Sequence, residues 1–235
     1  MEALEAGQSM ERIYLKSGIS GEWIKKLREQ CEEYDIAIKR VPVIKLDKLT
    51  RNKNHQGIVA FTSLIQYQRL DDVIPFLFEH GMAPVIVLLD NITDVRNIGA
   101  ISRSIEVLGA DVMILGGRNV GMLNEDAIKT SAGALSKVTI CRRPDTIGTI
   151  NLLHSYGINT FASVMKDSGS IQSQDFTIPS CIIMGSEGDG IPDEIRKVCT
   201  HSISIPQLGK TDSLNVSVAA GITLYEIMRQ RMETS

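Results

Sequence analysis

Apolar positions divide the chain into two differently patterned stretches. In the first, Ile24, Leu27, Cys31 and Tyr34 recur at the spacing of an amphipathic helix, with Ser20 placed to cap it. Strands are predicted around this helix near Ile13 to Leu15, at Ile36 to Val41 and at Gly57 to Thr62. Between the last two, Lys45 to Gln56 mixes basic and amide residues and reads as an exposed loop. A further helical stripe of Leu70, Val73, Ile74, Leu77 and Phe78 ends at Gly81, and Pro84 marks a new start. Beyond it, continuous apolar runs at Val85 to Leu89, Val112 to Leu115, Thr160 to Val164, Cys181 to Met184 and Ser202 to Ile205 alternate with helical patterns. Uninterrupted apolar strands suit a parallel sheet buried on both faces. The pattern therefore predicts an α/β protein: a small α/β domain over 1–70, a linker over 71–83, and a larger parallel-sheet domain over 84–235, covered by helices on both faces.

The last predicted helix, about Asn215 to Arg231, repeats Val218, Ile222, Tyr225 and Met228 with Ala219, Ala220 and Gly221 between them. Such small residues let another surface approach closely, either the sheet of the same chain or a partner subunit.

Composition changes this picture little. Hydrophobic residues make up 43% and charged residues 23% of the 235, and no apolar run approaches the roughly 20 residues of a membrane span. Glu2 and Glu5 stand where a secretory signal carries basic residues, so a cytoplasmic protein is expected. Cys31, Cys141, Cys181 and Cys199 lack metal-ligand spacing and read as reduced core thiols, and no metal site is expected. The net charge of −3 hides a polarity: residues 1–70 carry 12 Lys or Arg against 9 Asp or Glu, the remainder 13 against 19. An excess of +3 fits contact with a phosphate backbone and an ordinary solvated surface equally.

Candidate chemistry lies in three polar loops, each following a buried strand, the place where ligands gather in α/β sheets. The first runs from Asp90 to Arg103. Asn97 and Gly99 are read as opening its helix, and Arg103 lies six residues, or about 600° of helical rotation, beyond Asn97, on a different face. The second is Met184-Gly185-Ser186-Glu187-Gly188-Asp189-Gly190-Ile191-Pro192, whose glycines imply positive φ or close approach of a ligand to the backbone. Its spacing is not that of a dinucleotide or P-loop motif, and Glu187 and Asp189 would repel phosphates. The third runs from Ile205 to Ser217 and carries Ser213 and Asn215 into the last helix.

These loops resemble, in order, the three motifs of the SpoU/TrmH (SPOUT) family of RNA ribose 2′-O-methyltransferases. The matching residues are Asn97-Ile98-Gly99 through Arg103, Ile183 through Ile191, and Ile205-Pro206 through Ser213 to Gly221. Less sharply, Met1 to Gly7 and His55 to Ala60 are similar to the RNA-binding domain that precedes catalysis in bacterial ribosomal-RNA ribose methyltransferases. In such relatives a short strand and glycine turn usually come before the segment matched by Met1 to Gly7, so a shortened or missing beginning is expected.

The resemblance implies a deep trefoil knot in the catalytic domain, a homodimer, and S-adenosylmethionine held mainly by backbone at Gly185, Ile205 and Leu214, with Met184, Gly188 and Ser213 nearby. It implies that Arg103 assists deprotonation of the ribose hydroxyl or holds the target phosphate, while Asn97, Glu187, Ser213 and Asn215 order the loops. Free arginine keeps its proton to about pH 12, which makes the first role for Arg103 the harder one. The expected activity is methyl transfer to a ribose 2′-hydroxyl of RNA, with large-subunit ribosomal RNA the expected substrate and no membrane partner. Two alternatives stand beside it: a tRNA substrate, and a non-catalytic RNA-binding protein on the same scaffold. His55 is expected either to face RNA or to be solvated.

Overall fold

The structure, a computed structural model, describes residues 8–165, 168–209 and 213–234. The Met1 to Gly7 segment lies outside the described residues. The chain divides into two compact units, Met1–Gln66 and Tyr67–Ser235.

The first unit is built on β1 (Met10–Lys16), α1 (Glu22–Glu33), β2 (Ala37–Val41), α2 (Val43–Thr50) and β3 (Ile58–Thr62). Its sheet has the order β2-β1-β3, with β1 parallel to β2 and antiparallel to β3. Central β1 is buried on both faces. Ile13 and Leu15 pack with Ile24, Leu27 and Cys31 of α1, while Tyr14 on the opposite face packs with Val41 and with Leu46 of α2. Met10 shares the Ile13 side despite its parity because the pairing with β3 shifts register between Met10 and Arg12.

Two expectations change here. Gly21, not Ser20, occupies the cap position of α1, with φ at 143° and no side-chain cap. Residues 45–50, expected within an exposed loop, belong to α2. Leu46 is its one buried residue, so there is no apolar stripe to recognise, and Lys45 lies 5.3 Å from the Tyr14 ring centroid.

The second unit contains a seven-stranded sheet, ordered β6-β5-β4-β9-β7-β10-β8, in which every pairing is parallel. The strands are β4 (Val85–Asp90), β5 (Val112–Gly116), β6 (Thr139–Arg143), β7 (Asn159–Ser163), β8 (Gly169–Ser170), β9 (Ser180–Met184) and β10 (His201–Ser204). β4, β5 and β9 are buried at every position, as their continuous apolar runs require. The helices are α3 (Leu70–Glu79), α4 (Val95–Leu108), α5 (Glu125–Ser131), α6 (Thr146–Ser155), α7 (Asp193–Val198) and α8 (Val216–Thr234).

Ile86 and Leu88 of β4 face a core that includes Leu70, Val73 and Ile74 of α3 and Ile150 and Leu153 of α6. Residues 71–83, expected as a linker, thus carry a helix that belongs to this core. Val85, of opposite parity, borders a cavity with Leu108 of α4 and Leu224 and Ile227 of α8, so helices cover both faces. Strand β6 was not expected, because Arg142 and Arg143 interrupt the apolar run and leave only Ile140 and Cys141 to signal it. Helix α8 lies against α4, where a Cβ added at Gly221 would meet Ser104 Oγ at 3.6 Å. Near its end, the Arg231 guanidinium donates to the carbonyls of Ala83, Phe176 and Ile178. Among the described residues no helix is long and apolar enough to cross a membrane.

Candidate functional site

Parallel pairing points the C-terminal ends of β4, β9 and β10 the same way, but β7 stands between β9 and β10. The chain leaving β10 must therefore run back across the ends of β7 and β9 to approach the loop that follows β4. The segments that follow β9 and β10 enclose a cleft of about 740 Å³, bordered also by Ser163, Val164 and Met165 at the end of β7. Its size is that of a small-molecule site.

The second polar loop supplies one wall. It folds back on itself through a bridge between Ser186 and Gly190, whose N–H donates to the Ser186 carbonyl at 3.0 Å. Only glycine fits at 185, since an added Cβ would lie 2.2 to 2.4 Å from backbone atoms of Gly190 and Ile191. Gly188 has a φ of 95°, which favours glycine. Buried Met184 and the exposed Glu187, Gly188 and Asp189 line the cleft with Gly185.

The third loop supplies the facing wall through Ile205, Ser213, Leu214 and Asn215. The Asn215 Oδ1 accepts from Ser217 N at 2.8 Å and from Ser217 Oγ at 2.6 Å, fixing the start of α8. That commitment turns its amide nitrogen outward, and it donates to Asn97 Oδ1 at 3.2 Å across a separation of 118 residues.

Asn97 does not open its helix, as the sequence led us to expect. Asp94 caps α4 by accepting from Arg96 N at 2.9 Å, and its carboxyl also receives the Arg96 guanidinium at 3.0 and 3.2 Å. Those Arg96 contacts, with a smaller one from Asn97, hold the Asp94 carboxyl below the usual carboxylate range. Arg96 is correspondingly raised, first by Asp94 and more weakly by Asp126 and Glu187, so Glu187 lies within electrostatic reach of the helix mouth. Asn97 sits buried inside the first turn, free to join loop one to loop three.

Arg103 lies further along α4, on the side opposed to buried Ile98, Ile101 and Ile105; it is exposed and has no hydrogen bond or ion pair among the described residues. It is not among the described residues bordering the cleft. The structure thus brings Met184, Gly185, Glu187 and Gly188 together with Ile205, Ser213, Leu214 and Asn215, joins Asn97 to them through one hydrogen bond, and leaves Arg103 outside.

Sequence reasoning missed two features. Arg196 of α7 borders the cleft; nothing at its position distinguishes it from a surface charge on a short helix. Buried Asp90 accepts from Thr146 Oγ1, and Asn91, at a φ of 51°, accepts from Asn119 N at 3.1 Å. These contacts pin the base of the first loop, and a carboxylate ending an apolar strand was the available signal.

In the first unit a second pocket, of about 650 Å³, lies at the C-terminal end of β1 and is bordered by Lys16, Asn52, Lys53, Asn54 and Gln56. His55 also borders this pocket but is not the freely solvated side chain that was one of the two expectations. Its ring is 11% exposed, its Nε2 lies 3.0 Å from Asp47 Oδ1, and its Nδ1 accepts from Gly57 N at 2.9 Å. Accepting at Nδ1 makes the neutral ring an Nε2–H donor toward Asp47.

Burial pushes the Cys31 and Cys199 thiols up to about 11 and raises Cys181 further. All four cysteines are free, and no group of metal-ligating side chains occurs among the described residues.

Comparison with known proteins adds an independent line. Residues 84–225 match the model of the SpoU rRNA methylase family, and residues 1–68 match that of the RNA 2′-O ribose methyltransferase substrate-binding domain. A tRNA/rRNA methyltransferase of Synechocystis, itself uncharacterised, is 34% identical over 98% of this chain, which spans 60% of that relative's length. A Staphylococcus haemolyticus protein named for the TrmH family of tRNA/rRNA methyltransferases is 30% identical over 98% of this chain and 92% of its own. In fold, the chain is similar to the SpoU methyltransferase AviRb from Streptomyces viridochromogenes in complex with AdoMet, with a TM-score of 0.65 and 24% identity, covering 98% of this chain and 87% of that one.

Proposed function

This chain belongs to the SpoU rRNA methylase family, a methyltransferase family, and from that premise we propose that it transfers a methyl group from S-adenosylmethionine to a ribose 2′-hydroxyl of RNA. The observation that carries the proposal is the convergence of the second and third loops on one cleft, to which the first is tied by the Asn97–Asn215 hydrogen bond. The donor set fits this cofactor. Gly185, Ile205 and Leu214 line the cleft, and Glu187 and Asp189 offer negative charge suited to a cationic ligand and unsuited to a nucleotide phosphate.

When bound, S-adenosylmethionine supplies a methyl group activated by a sulfonium. The chain's own residues do the remainder. Asn97 and Asn215 hold the loops in register, and Ser213 and Glu187 border the space in which the ribose is oriented. Arg103, exposed and without a partner among the described residues, is assigned to RNA, where a guanidinium grips phosphate with two parallel N–H groups. Orientation of the hydroxyl against the methyl group is the main catalytic contribution expected of such a site.

The same reading includes a trefoil knot formed by the segments around the cleft, a cytoplasmic location, and a homodimer. Support for the dimer comes from α8, which leaves Val218 49%, Ile222 37% and Tyr225 55% exposed. Ribosomal rather than transfer RNA is the proposed substrate, because the leading unit matches a substrate-binding model and carries the basic, amide-rich pocket beside Lys16 and Lys53.

Incubation with labelled S-adenosylmethionine and unmodified large-subunit RNA or tRNA tests the proposal. A 2′-O-methylated ribose in the ribosomal RNA is expected. Product on tRNA alone would replace the substrate, and no product on either would leave an RNA-binding protein without this activity. Sedimentation of the purified chain at twice its monomer mass is expected for the dimer.

A further inference from the structure

We propose that Arg196 is the anchor for the carboxylate of the cofactor's amino-acid tail, an inference that rests on the cofactor reading above. Helix α7 begins at the Pro192 cap and places Ile195 in the core, with 5% exposure. The next residue, Arg196, is half-buried and borders the cleft formed by the Gly185 to Ile191 loop. Among the described residues it has no hydrogen bond or ion pair, although Asp193 and Glu194 lie in the same short helix. A half-buried guanidinium without a counter-charge has lost part of its hydration and gains strongly from an incoming anion.

The charges that line the cleft without forming an ion pair identify that anion. Glu187 and Asp189 stand at the tip of the loop, and Arg196 is the sole cation among the described lining residues. A ligand that carries a sulfonium and an ammonium together with one carboxylate complements two separated acids and one base. A bare nucleoside does not, and an RNA phosphate would meet the acids as well as the arginine. Arg196 therefore selects the intact amino-acid tail, whereas the backbone loops hold the adenosine.

Calorimetry on the full chain without RNA tests this, using S-adenosylhomocysteine, which keeps the tail, and 5′-methylthioadenosine, which lacks it. Arg196→Gln is expected to weaken S-adenosylhomocysteine about ten- to a hundredfold, the range of charged hydrogen bonds. Binding of 5′-methylthioadenosine should stay within about twofold, and Arg196→Lys should recover part of the loss. Unchanged affinity for S-adenosylhomocysteine would overturn the assignment, and if RNA binding fell instead, the arginine serves a phosphate. Equal loss of both ligands would also overturn it, since that marks a structural role. Failure of the unsubstituted protein to bind either ligand would remove the cofactor reading itself, and this inference with it.

Discussion

Each unit has a cavity at the C-terminal ends of parallel strands, and the two are similar in size, about 650 Å³ in the small unit and about 740 Å³ in the large one. They are held open by different means. The large cleft depends on contacts between distant segments: the Asn97–Asn215 hydrogen bond spans 118 residues, and the Gly185 loop closes against its own backbone with no room for a Cβ. The small pocket is held locally. Asp47 and His55 are 8 residues apart, Gly57 bonds to His55 two residues away, and Arg51, Asn52 and Gln56 all adopt positive φ. Non-glycine residues in that region store strain.

The sharpest way to break this contrast is Gly185→Val. Its branched side chain would collide with Gly190 and Ile191, and we expect cofactor binding to fall below detection in calorimetry while the small unit stays folded. Next in size is Leu46→Ala, which should cost the small unit about 2 to 5 kcal/mol. The single tryptophan, Trp23, lies in that unit and reports it selectively. Its fluorescence transition in urea should shift to lower concentration, and the circular dichroism transition of the large unit should not. Asn97→Ala removes the tie between loops one and three and should weaken S-adenosylhomocysteine about five- to tenfold, as loss of one net hydrogen bond gives. His55→Ala should leave that affinity unchanged.

The smallest expected effect is at the α4 cap. Asp94→Ala should lower stability at pH 7 by about 1 kcal/mol, the usual worth of a cap. Because its carboxyl is held below the ordinary value, this contribution is present above about pH 4 and is lost as pH falls through the lowered folded value. Urea midpoints of the two proteins should converge in acid.

How far sequence led to structure follows the same division. Strands β4, β5 and β9 were legible because burial on both faces leaves an unbroken apolar signature. The second and third loops were legible because their glycines and amides follow such strands. Helix α2 was not, since one buried leucine among exposed Lys45, Lys48 and Leu49 creates no periodicity. Strand β6 was hidden by its arginines, although Arg142 is buried with its guanidinium 5.5 Å from the Tyr67 ring centroid. Within the site, Asn97 was expected at the helix mouth. Its position in the first turn depends on Asp94, three residues earlier, taking the cap, and two equally good capping residues close together cannot be ranked without the backbone. Arg196 carried no local signal, because its significance comes from the cleft it borders, formed by residues distant in the chain.

The clasp made by Arg231 bears on the order in which the protein can be assembled. Its guanidinium gathers carbonyls from residues 83, 176 and 178, so α8 secures backbone made as many as 148 residues earlier. During vectorial synthesis the small unit can finish while still tethered to the ribosome, whereas the large unit must wait for α8 to emerge.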